Sequence, residues 1–251
     1  MTYAENFFVE RRNTARESAK AMVPWVRELV RPDSIVDVGC GTGSWLAEFR
    51  AHGLADVVGL DGDWVPREKL EIPPECFRAH DLCQPPKLGR TFDLVVSLEV
   101  GEHLPRERAD AFVDTLVTLG PLIFFSAAVP AQGGTGHVNE QWPEFWISRF
   151  KQRGYRCFDC VRGRFWNDQR VAFWYAQNVF FFVAEAHVED YPALAEAQRN
   201  HTLAGAAVVH PEMLVRKVNE LSDPNSYSLR KFLRVFPRLL KRAVVSRMGR
   251  A

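Results

Sequence analysis

A predicted strand that turns through three glycines into a helix constrains the fold of this chain more than any other stretch. Residues 34–38 are an apolar run typical of a buried parallel strand, and Gly39, Gly41 and Gly43 follow at alternate positions. A helical pattern begins at Trp45. Such a turn presents backbone N–H groups and the positive end of a helix to a ligand, and glycine lets that ligand lie against the backbone. The turn therefore predicts a nucleotide-type ligand at the first strand–helix junction of an α/β sheet.

The residues around the turn decide between two kinds of ligand. The dinucleotide fingerprint G-x-G-x-x-G is not matched, because its third glycine position holds Ser44 and the extra glycine comes one residue earlier, at Gly43. Asp37 lies in the strand just before the turn, where its carboxylate would repel a pyrophosphate but suits a cationic amino-acid group. The stretch from Asp37 to Gly43 resembles motif I of the class I S-adenosylmethionine-dependent methyltransferases, in the form D-x-G-C-G-T-G.

This resemblance covers about residues 30 to 185 and implies a fold, a cofactor and its binding residues. The implied fold is Rossmann-like α/β, with a seven-stranded, mostly parallel sheet flanked by helices. The implied cofactor is S-adenosylmethionine. Its methionine end would be held at the turn, and the residues concerned are Asp37, Gly39, Cys40, Gly41 and Gly43.

Three further residues are candidates for the nucleoside part of the cofactor. Asp61 ends the second predicted strand, roughly 20 residues after Gly39, where an acid can bind both ribose hydroxyls. Asp81 and Leu82 match the acid–apolar pair that contacts adenine in the family. Trp64 lies just beyond Asp61, and stacking on adenine and packing in the core are both open to it.

An E-x-x-E-H pattern, formed by Glu99, Glu102 and His103, follows the fourth predicted strand at residues 91–98. Ligands of open α/β sheets bind at this carboxyl edge, and oxygen-rich sites with one His suit magnesium or manganese. If the turn is helical, Glu99 and Glu102 share a face. The pattern is similar to the metal site of the O-methyltransferases of ubiquinone synthesis and of the small-RNA 3′-terminal 2′-O-methyltransferases. We therefore predict a Mg²⁺ site at these three residues and a catalytic role for Glu99, although metal-free class I enzymes also carry E-H here as structure.

A long, glycine-rich loop at residues 128–141 follows the fifth predicted strand, and loops of this length are usually functional. His137 lies in it, and a His with an ordinary pKa of ~6.5 can accept a proton at neutral pH. We predict that His137 is the general base; coordination of the metal and a loop hydrogen bond are the alternatives. Candidates for contacts with a polar or sugar substrate are Asn139, Glu140, Gln141, Trp142 and Trp146, and the two Trp residues equally suit the core.

The segment 125–143 is similar to a narrower group, the methyltransferases of actinobacteria and of polysaccharide loci that modify sugars. This resemblance implies an O-methyltransferase that acts on a carbohydrate hydroxyl, such as that of a mannoside in polysaccharide synthesis. A hydroxyl is a poor nucleophile, so it needs a base or a cation that lowers its pKa. Two other functions stay open: methylation of a quinone precursor or another small molecule, and a non-catalytic scaffold that binds cofactor.

Length, composition and net charge limit which domain organisation and which partners this chain can have. With 251 residues, 47% of them hydrophobic, the chain suits one α/β domain at 1–190, followed by a helical, basic extension at 191–251 that packs on the domain or on a partner. A net charge of +1 provides no bulk field, so we expect a small carbohydrate acceptor and no nucleic acid.

Location and assembly are predicted from the two ends and the cysteines. The first residues lack a signal-peptide pattern, no apolar stretch is long enough to span a bilayer, and five scattered cysteines favour a reducing cytoplasm. Residues 226–251 are apolar and basic, and no acid follows Asp223. This tail predicts peripheral membrane contact or packing on the domain or on a second copy in a homodimer.

Overall fold

A seven-stranded sheet forms the centre of the computed structural model, which describes residues 3–201 and 205–222 together with residues 233, 236 and 237. The strands are β1 (Ser34–Val38), β2 (Asp56–Asp61), β3 (Phe77–Ala79), β4 (Leu94–Leu98), β5 (Leu122–Ser126), β6 (Tyr155–Phe158) and β7 (Phe180–Ala184). Their order is β3-β2-β1-β4-β5-β7-β6, and only β7 runs antiparallel to its neighbours. The predicted seven-stranded, mostly parallel sheet flanked by helices is confirmed.

Helices cover both faces of this sheet. They are α1 (Tyr3–Val30), α2 (Ser44–Ala51), α3 (Ala109–Leu119), α4 (Pro143–Gln152), α5 (Val161–Phe165), α6 (Phe173–Asn178) and α7 (Pro192–His201). A further helix, α8 (Pro211–Ser222), belongs to a second compact unit. The α1 helix continues through Pro24, where the sequence allows a kink or a break. Its buried residues Met22, Val23 and Val26 lie on both sides of Pro24, and this packing stabilises one continuous helix.

The alternation of side chains along each strand builds two separate cores. In β1, Ile35 packs on the face covered by α1 and α2, whereas Val36 and Val38 pack on the face covered by α3 and α4. Both sets are buried, as expected for parallel strands that are apolar on both faces. The carboxyl ends of β1, β2, β4 and β5 therefore open to one edge, where their loops meet.

The first compact unit extends to His210, beyond the domain boundary predicted at 190. The α7 helix contacts α1, α5 and β6, which explains why it belongs to this unit. Arg162 adds a second connection, because its fully buried guanidinium donates to the Asp159 carboxylate and to the carbonyls of Gly205 and Ala206. The second unit begins at Pro211.

The second unit contains α8, which leaves four apolar side chains exposed: Leu214, Val215, Val218 and Leu221. The predicted basic tail at 226–251 lies outside the described residues, apart from residues 233, 236 and 237. Across the part of the chain that the structure describes, no helix combines the length and the apolar character needed to cross a bilayer.

Candidate active site

Two of the three glycines in the turn after β1 lie against neighbouring side chains, and the third faces open space. All three glycines have left-handed φ values, +88° at Gly39, +56° at Gly41 and +86° at Gly43. A Cβ at Gly39 would lie 2.3 Å from Val100 Cγ2, and one at Gly43 would lie 2.9 Å from Ile72 Cγ1. At Gly41 a Cβ would meet no heavy atom within 4 Å. Gly41 therefore borders the space in which a ligand can lie against the backbone.

Replacing Gly41 with Ala should weaken cofactor binding more than it weakens the fold. The new methyl group would enter the open space, and the left-handed backbone would cost roughly 1 kcal/mol in stability. Gly39→Ala should instead lower the melting temperature more, because its Cβ collides with Val100. Calorimetric titration with S-adenosylmethionine and thermal unfolding of both variants check this. Equal losses of affinity and of melting temperature in the two variants would contradict it.

Cys40, predicted to contact the cofactor, has a buried side chain whose thiol lies 3.5 Å from the carbonyl oxygen of Gly41. Its thiol packs so closely on β2 that a Cβ at Gly59 would lie 2.7 Å from Cys40 Sγ. Burial raises the pKa of this thiol well above its ordinary value, and the charges of Asp37 and Asp61 raise it further. Only the backbone of Cys40 is placed to contact a ligand at the turn.

Asp37 and Asp61 form an acidic pair beneath the glycine turn. The N–H groups of Gly41 and Gly62 donate to the two oxygens of the Asp61 carboxylate, both at 2.7 Å. Burial raises the pKa of Asp61, whereas these two hydrogen bonds lower it. Burial raises the pKa of Asp37 well above its usual range, and the charge of Asp61 raises it further. A cationic ligand group beside the pair would favour both ionised carboxylates.

The predicted adenine contacts lie at the adjacent strand end. The N–H of His80 donates to the carbonyl of Asp61 at 2.7 Å, which connects the end of β2 to the segment after β3. Asp81 is exposed there, and Leu82 is half-buried against the core on the α3 and α4 face. Trp64 is 71% exposed, so it does not belong to the core, and its ring lies against Gly62. An exposed indole beside Asp61 is placed to stack on a flat ring.

Glu71 supports the turn through side-chain hydrogen bonds that were not predicted from the sequence. The Glu71 carboxylate accepts from Thr42 Oγ1 at 3.0 Å and from Ser44 Oγ at 2.6 Å, and it pairs with Arg16 at 2.6 Å. Glu71 N–H also donates to the carbonyl of Thr42. These residues are far apart in the chain, and no local pattern predicts their meeting.

A candidate cation site is formed by Glu102, His103 and His137, whose ligand atoms all lie within 4.8 Å of one another. Glu102 is fully buried, and its Oε1 lies 3.9 Å from His137 Nε2. The two imidazoles meet edge to face with centroids 4.9 Å apart. His103 Nδ1 lies 3.3 Å from the carbonyl of Gly136, and His137 Nδ1 lies 2.9 Å from Glu140 Oε1. Such outer contacts are typical of imidazoles that bind metal through their other nitrogen.

The donor set fits a divalent cation and bears on its identity. Two imidazoles with one carboxylate suit Mn²⁺ or another transition metal better than Mg²⁺, which prefers oxygen ligands. The set includes His137 in place of Glu99, one of the three residues for which Mg²⁺ was predicted. These three side chains would hold the cation at the carboxyl edge of β4.

Glu99 is not one of these three residues, and its carboxylate is held by amide side chains. Asn178 Nδ2 donates to Glu99 Oε1 at 3.0 Å, and Gln132 Nε2 donates to Oε2 at 2.7 Å. Burial raises the pKa of Glu99, while these hydrogen bonds and the charge of His137 lower it. Its φ of +57° is unusual for a residue other than glycine and is often found at functional sites.

The backbone explains why Glu99 and Glu102 do not share a face. The 3-10 turn begins only at Gly101, and Val100 has φ −121° and ψ −43°. With Glu99 in the left-handed region, the four residues do not form the helical turn that the E-x-x-E spacing assumes. The predicted set of three ligands is therefore divided: Glu102 and His103 come together, and Glu99 points to Gln132 and Asn178.

Comparison with known proteins adds to this geometry. The family model described as a methyltransferase domain matches residues 9–159. The chain belongs to this methyltransferase family. Together with the glycine turn and its acids, the family identifies an S-adenosylmethionine-dependent methyltransferase. No curated protein matches the sequence.

Solved structures share the fold of this methyltransferase at low identity. DesVI from Streptomyces venezuelae has a TM-score of 0.53 and 17% identity, over 72% of this chain and 96% of that chain. CalS10, an amino pentose methyltransferase from Micromonospora echinaspora solved with S-adenosylmethionine, has a TM-score of 0.53 and 18% identity, over 73% and 97%. The sugar N-methyltransferase KedS8 from Streptoalloteichus has a TM-score of 0.53 and 16% identity, over 72% and 92%. These likenesses show the fold.

In this methyltransferase, the loop after β5 is attached directly to the turn that carries Glu102. The N–H groups of Val138 and Asn139 both donate to the carbonyl of Glu102, at 2.9 and 3.0 Å. Asn139 Nδ2 donates to the carbonyl of Gly101 at 3.3 Å. These bonds bring His137 beside Glu102, although the two residues are distant in the chain.

Among the residues predicted to contact the substrate, some are buried or bonded within the loop, and others remain exposed. Asn139 and Trp146 are each only 2% exposed, and Trp146 packs on Gly101, so both belong to the support of the site. Glu140 is engaged within the loop, where the N–H groups of Ala131 and Gly133 donate to it. Trp142, at 41% exposed, retains a surface for an acceptor.

Proposed function

We propose that the methyltransferase transfers a methyl group from S-adenosylmethionine to a hydroxyl of a carbohydrate, with the assistance of a divalent cation. The observation that carries this proposal is the group of Glu102, His103 and His137 at the sheet edge that also carries the glycine turn. A neutral amine is already a nucleophile, whereas a hydroxyl needs help to lose its proton. A cation site beside the cofactor site therefore supports an O-methyltransferase.

The residues of the cofactor site would bind and orient the methyl donor. Asp37 and the backbone of residues 39–43 would receive the methionine end, Asp61 would accept from the ribose hydroxyls, and Asp81 with Leu82 would contact adenine. S-adenosylmethionine, when bound, supplies a methyl group on a positively charged sulfur. The buried acids Asp37 and Asp61 favour that positive charge through Coulombic attraction.

The three cation ligands and Glu99 would have different roles toward the acceptor hydroxyl. A bound cation lowers the pKa of a hydroxyl that it contacts. Glu102, His103 and His137 would hold it, and Glu99, whose pKa is raised by burial, would accept the hydroxyl proton. In transfer that needs no cation, His137 Nε2 would instead be the base predicted from the sequence. The two roles use the same nitrogen, so dependence on metal distinguishes them.

The carbohydrate acceptor is supported by the surface of the loop and by the relatives. Val138 is 66% exposed and Trp142 is 41% exposed, which gives apolar surface suited to the face of a sugar next to His137. CalS10, which shares the fold, is described as an amino pentose methyltransferase. KedS8, which also shares it, is described as a sugar N-methyltransferase. The resemblance of residues 125–143 to the mycobacterial 1-O-methyltransferase of methylmannose polysaccharide synthesis makes the free anomeric hydroxyl of mannose or of a mannose oligosaccharide the first acceptor to test.

Labelled methyl transfer to matched mannose acceptors tests this proposal. We expect transfer to mannose and mannobiose, which have a free anomeric hydroxyl, and at least tenfold less to their methyl glycosides. A chelator should stop transfer, and added Mn²⁺ should restore it. Equal transfer to the blocked glycosides would contradict the 1-hydroxyl, and transfer to amino sugars in chelator would favour an N-methyltransferase.

If no sugar accepts a methyl group, the proposed carbohydrate acceptor is wrong. Transfer to a quinone precursor or another small molecule would replace the acceptor and keep the enzyme. Cofactor binding without transfer to any acceptor would favour a non-catalytic scaffold. The matched acceptors, the amino sugars and the small molecules are therefore assayed with the same labelled donor.

Assembly and location stay predictions from the sequence. The exposed apolar residues of α8 support contact with a second copy or with a membrane surface. A homodimer, peripheral membrane contact through the basic tail and a cytoplasmic location are each compatible with a small carbohydrate acceptor.

A further inference from the structure

We infer that Glu140 is a positioning residue: its carboxylate fixes the orientation and the tautomer of His137, and thereby makes Nε2 available to a cation or a proton. This inference deepens the proposed function and rests on its use of His137. The sequence alone made Glu140 a candidate for binding substrate hydroxyls. The structure directs both of its oxygens to the loop that carries His137.

Three donors converge on the Glu140 carboxylate. Gly133 N–H donates to Oε1 at 2.6 Å, and Ala131 N–H donates to Oε2 at 2.8 Å. His137 Nδ1 lies 2.9 Å from Oε1. Because an ionised carboxylate only accepts hydrogen bonds, Nδ1 carries the hydrogen and Nε2 keeps its lone pair. The same nitrogen faces Glu102 Oε1 at 3.9 Å.

The loop backbone is shaped around this carboxylate. Ala131 and Gly133 have φ values of +69° and +74°, and their N–H groups turn toward one centre. A Cβ at Gly134 would lie 2.1 Å from His137 Nε2, so the backbone there closes on the imidazole. The His137 side chain is only 7% exposed as a result. Loss of the shared acceptor would release two backbone groups and the imidazole together.

The arrangement is a carboxylate–imidazole pair directed at a second carboxylate. Glu140 holds one nitrogen of His137, and the other nitrogen faces Glu102. Carboxylates that hold metal-binding imidazoles in this way typically raise metal affinity 10–100-fold. Glu140 would act through His137 and would contact neither the cofactor nor the acceptor.

The tautomer of His137 is the direct test. We would record long-range ¹H–¹⁵N correlation spectra of the full chain, about two pH units above the ordinary His pKa of ~6.5, and assign His137 with His137→Asn. The wild type should show the Nδ1–H tautomer. Glu140→Ala should lose it, and Glu140→Gln, which keeps the size but loses one acceptor oxygen, should fall between. Glu144→Gln, an exposed acid at the start of α4, is the matched control and should match the wild type.

Mn²⁺ affinity provides the second readout, measured by calorimetry on the full chain without cofactor or acceptor. Glu140→Ala should weaken it 10–100-fold, and S-adenosylmethionine affinity, measured on the same samples, should stay within threefold. If Glu140→Ala does not fold, Glu140→Gln decides. An Nε2–H tautomer in the wild type, or an unchanged tautomer in both variants, would overturn the inference.

These outcomes are separate from those of the proposed function. A tautomer that depends on Glu140 supports the positioning role even where no sugar is methylated, and in that case only the acceptor is wrong. If mannose is methylated but the tautomer of His137 does not depend on Glu140, the proposed function stands and this inference is overturned.

Discussion

Glu102→Gln should lower methyl transfer by roughly 100- to 10,000-fold, because loss of this ligand would weaken binding of the cation that assists removal of the hydroxyl proton. Glu102 is fully buried, and its carboxylate faces the imidazole of His137. Gln has the same size, so packing is kept while the negative charge and one ligand oxygen are lost. Turnover measured at saturating S-adenosylmethionine, with and without Mn²⁺, checks this expectation.

The matched control for this variant is Glu107→Gln. Glu107 is exposed in the neighbouring 3-10 turn at Arg106–Arg108, so its replacement should change turnover less than threefold. Cofactor affinity should stay unchanged in both variants, which separates lost chemistry from lost folding. If Glu102→Gln retains more than a third of wild-type turnover, the group of Glu102, His103 and His137 has no catalytic role.

Asp61→Ala should weaken S-adenosylmethionine binding by roughly 100-fold or more. A hydrogen bond to a charged group contributes about 1.5–3 kcal/mol, so loss of two bonds to the ribose would cost about 3 kcal/mol or more. The variant also removes the acceptor of the Gly41 and Gly62 N–H groups, which loosens the turn itself. Calorimetric titration of the full chain gives the affinity directly.

Two further variants separate these contributions. Asp61→Asn keeps the size and one acceptor oxygen, so its affinity should fall between those of the wild type and Asp61→Ala. Asp63→Ala removes an exposed acid two residues along and should bind within threefold of the wild type. Wild-type affinity in Asp61→Ala would show that the ribose does not lie at the end of β2.

Much of the sheet could be predicted because its signals are local. The β1 strand, the glycine turn and the start of α2 are contiguous, and an apolar run followed by glycines has few other conformations. Asp61 could be placed because parallel strands end at a common edge.

The contacts that support the site and close the first compact unit could not be predicted, because they join residues that are distant in the chain. The first unit extends to His210 because α7 contacts α1, α5 and β6, and because Arg162 donates to the carbonyls of Gly205 and Ala206. Asn178 reaches Glu99 from the end of α6, and Glu71 reaches the glycine turn. None of these pairings follows from a spacing in the sequence.

The sequence by itself determined the class of fold, the glycine turn and the two acids beside that turn, Asp37 and Asp61, since each depends on neighbouring residues or on the common edge of parallel strands. Only the tertiary structure decided the composition of the cation group. The left-handed backbone at Glu99 sends its carboxylate to Asn178, and two hydrogen bonds to the carbonyl of Glu102 bring the distant loop alongside. Side-chain direction follows local backbone angles, which E-x-x-E spacing does not specify, so His137 and not Glu99 lies beside Glu102 and His103.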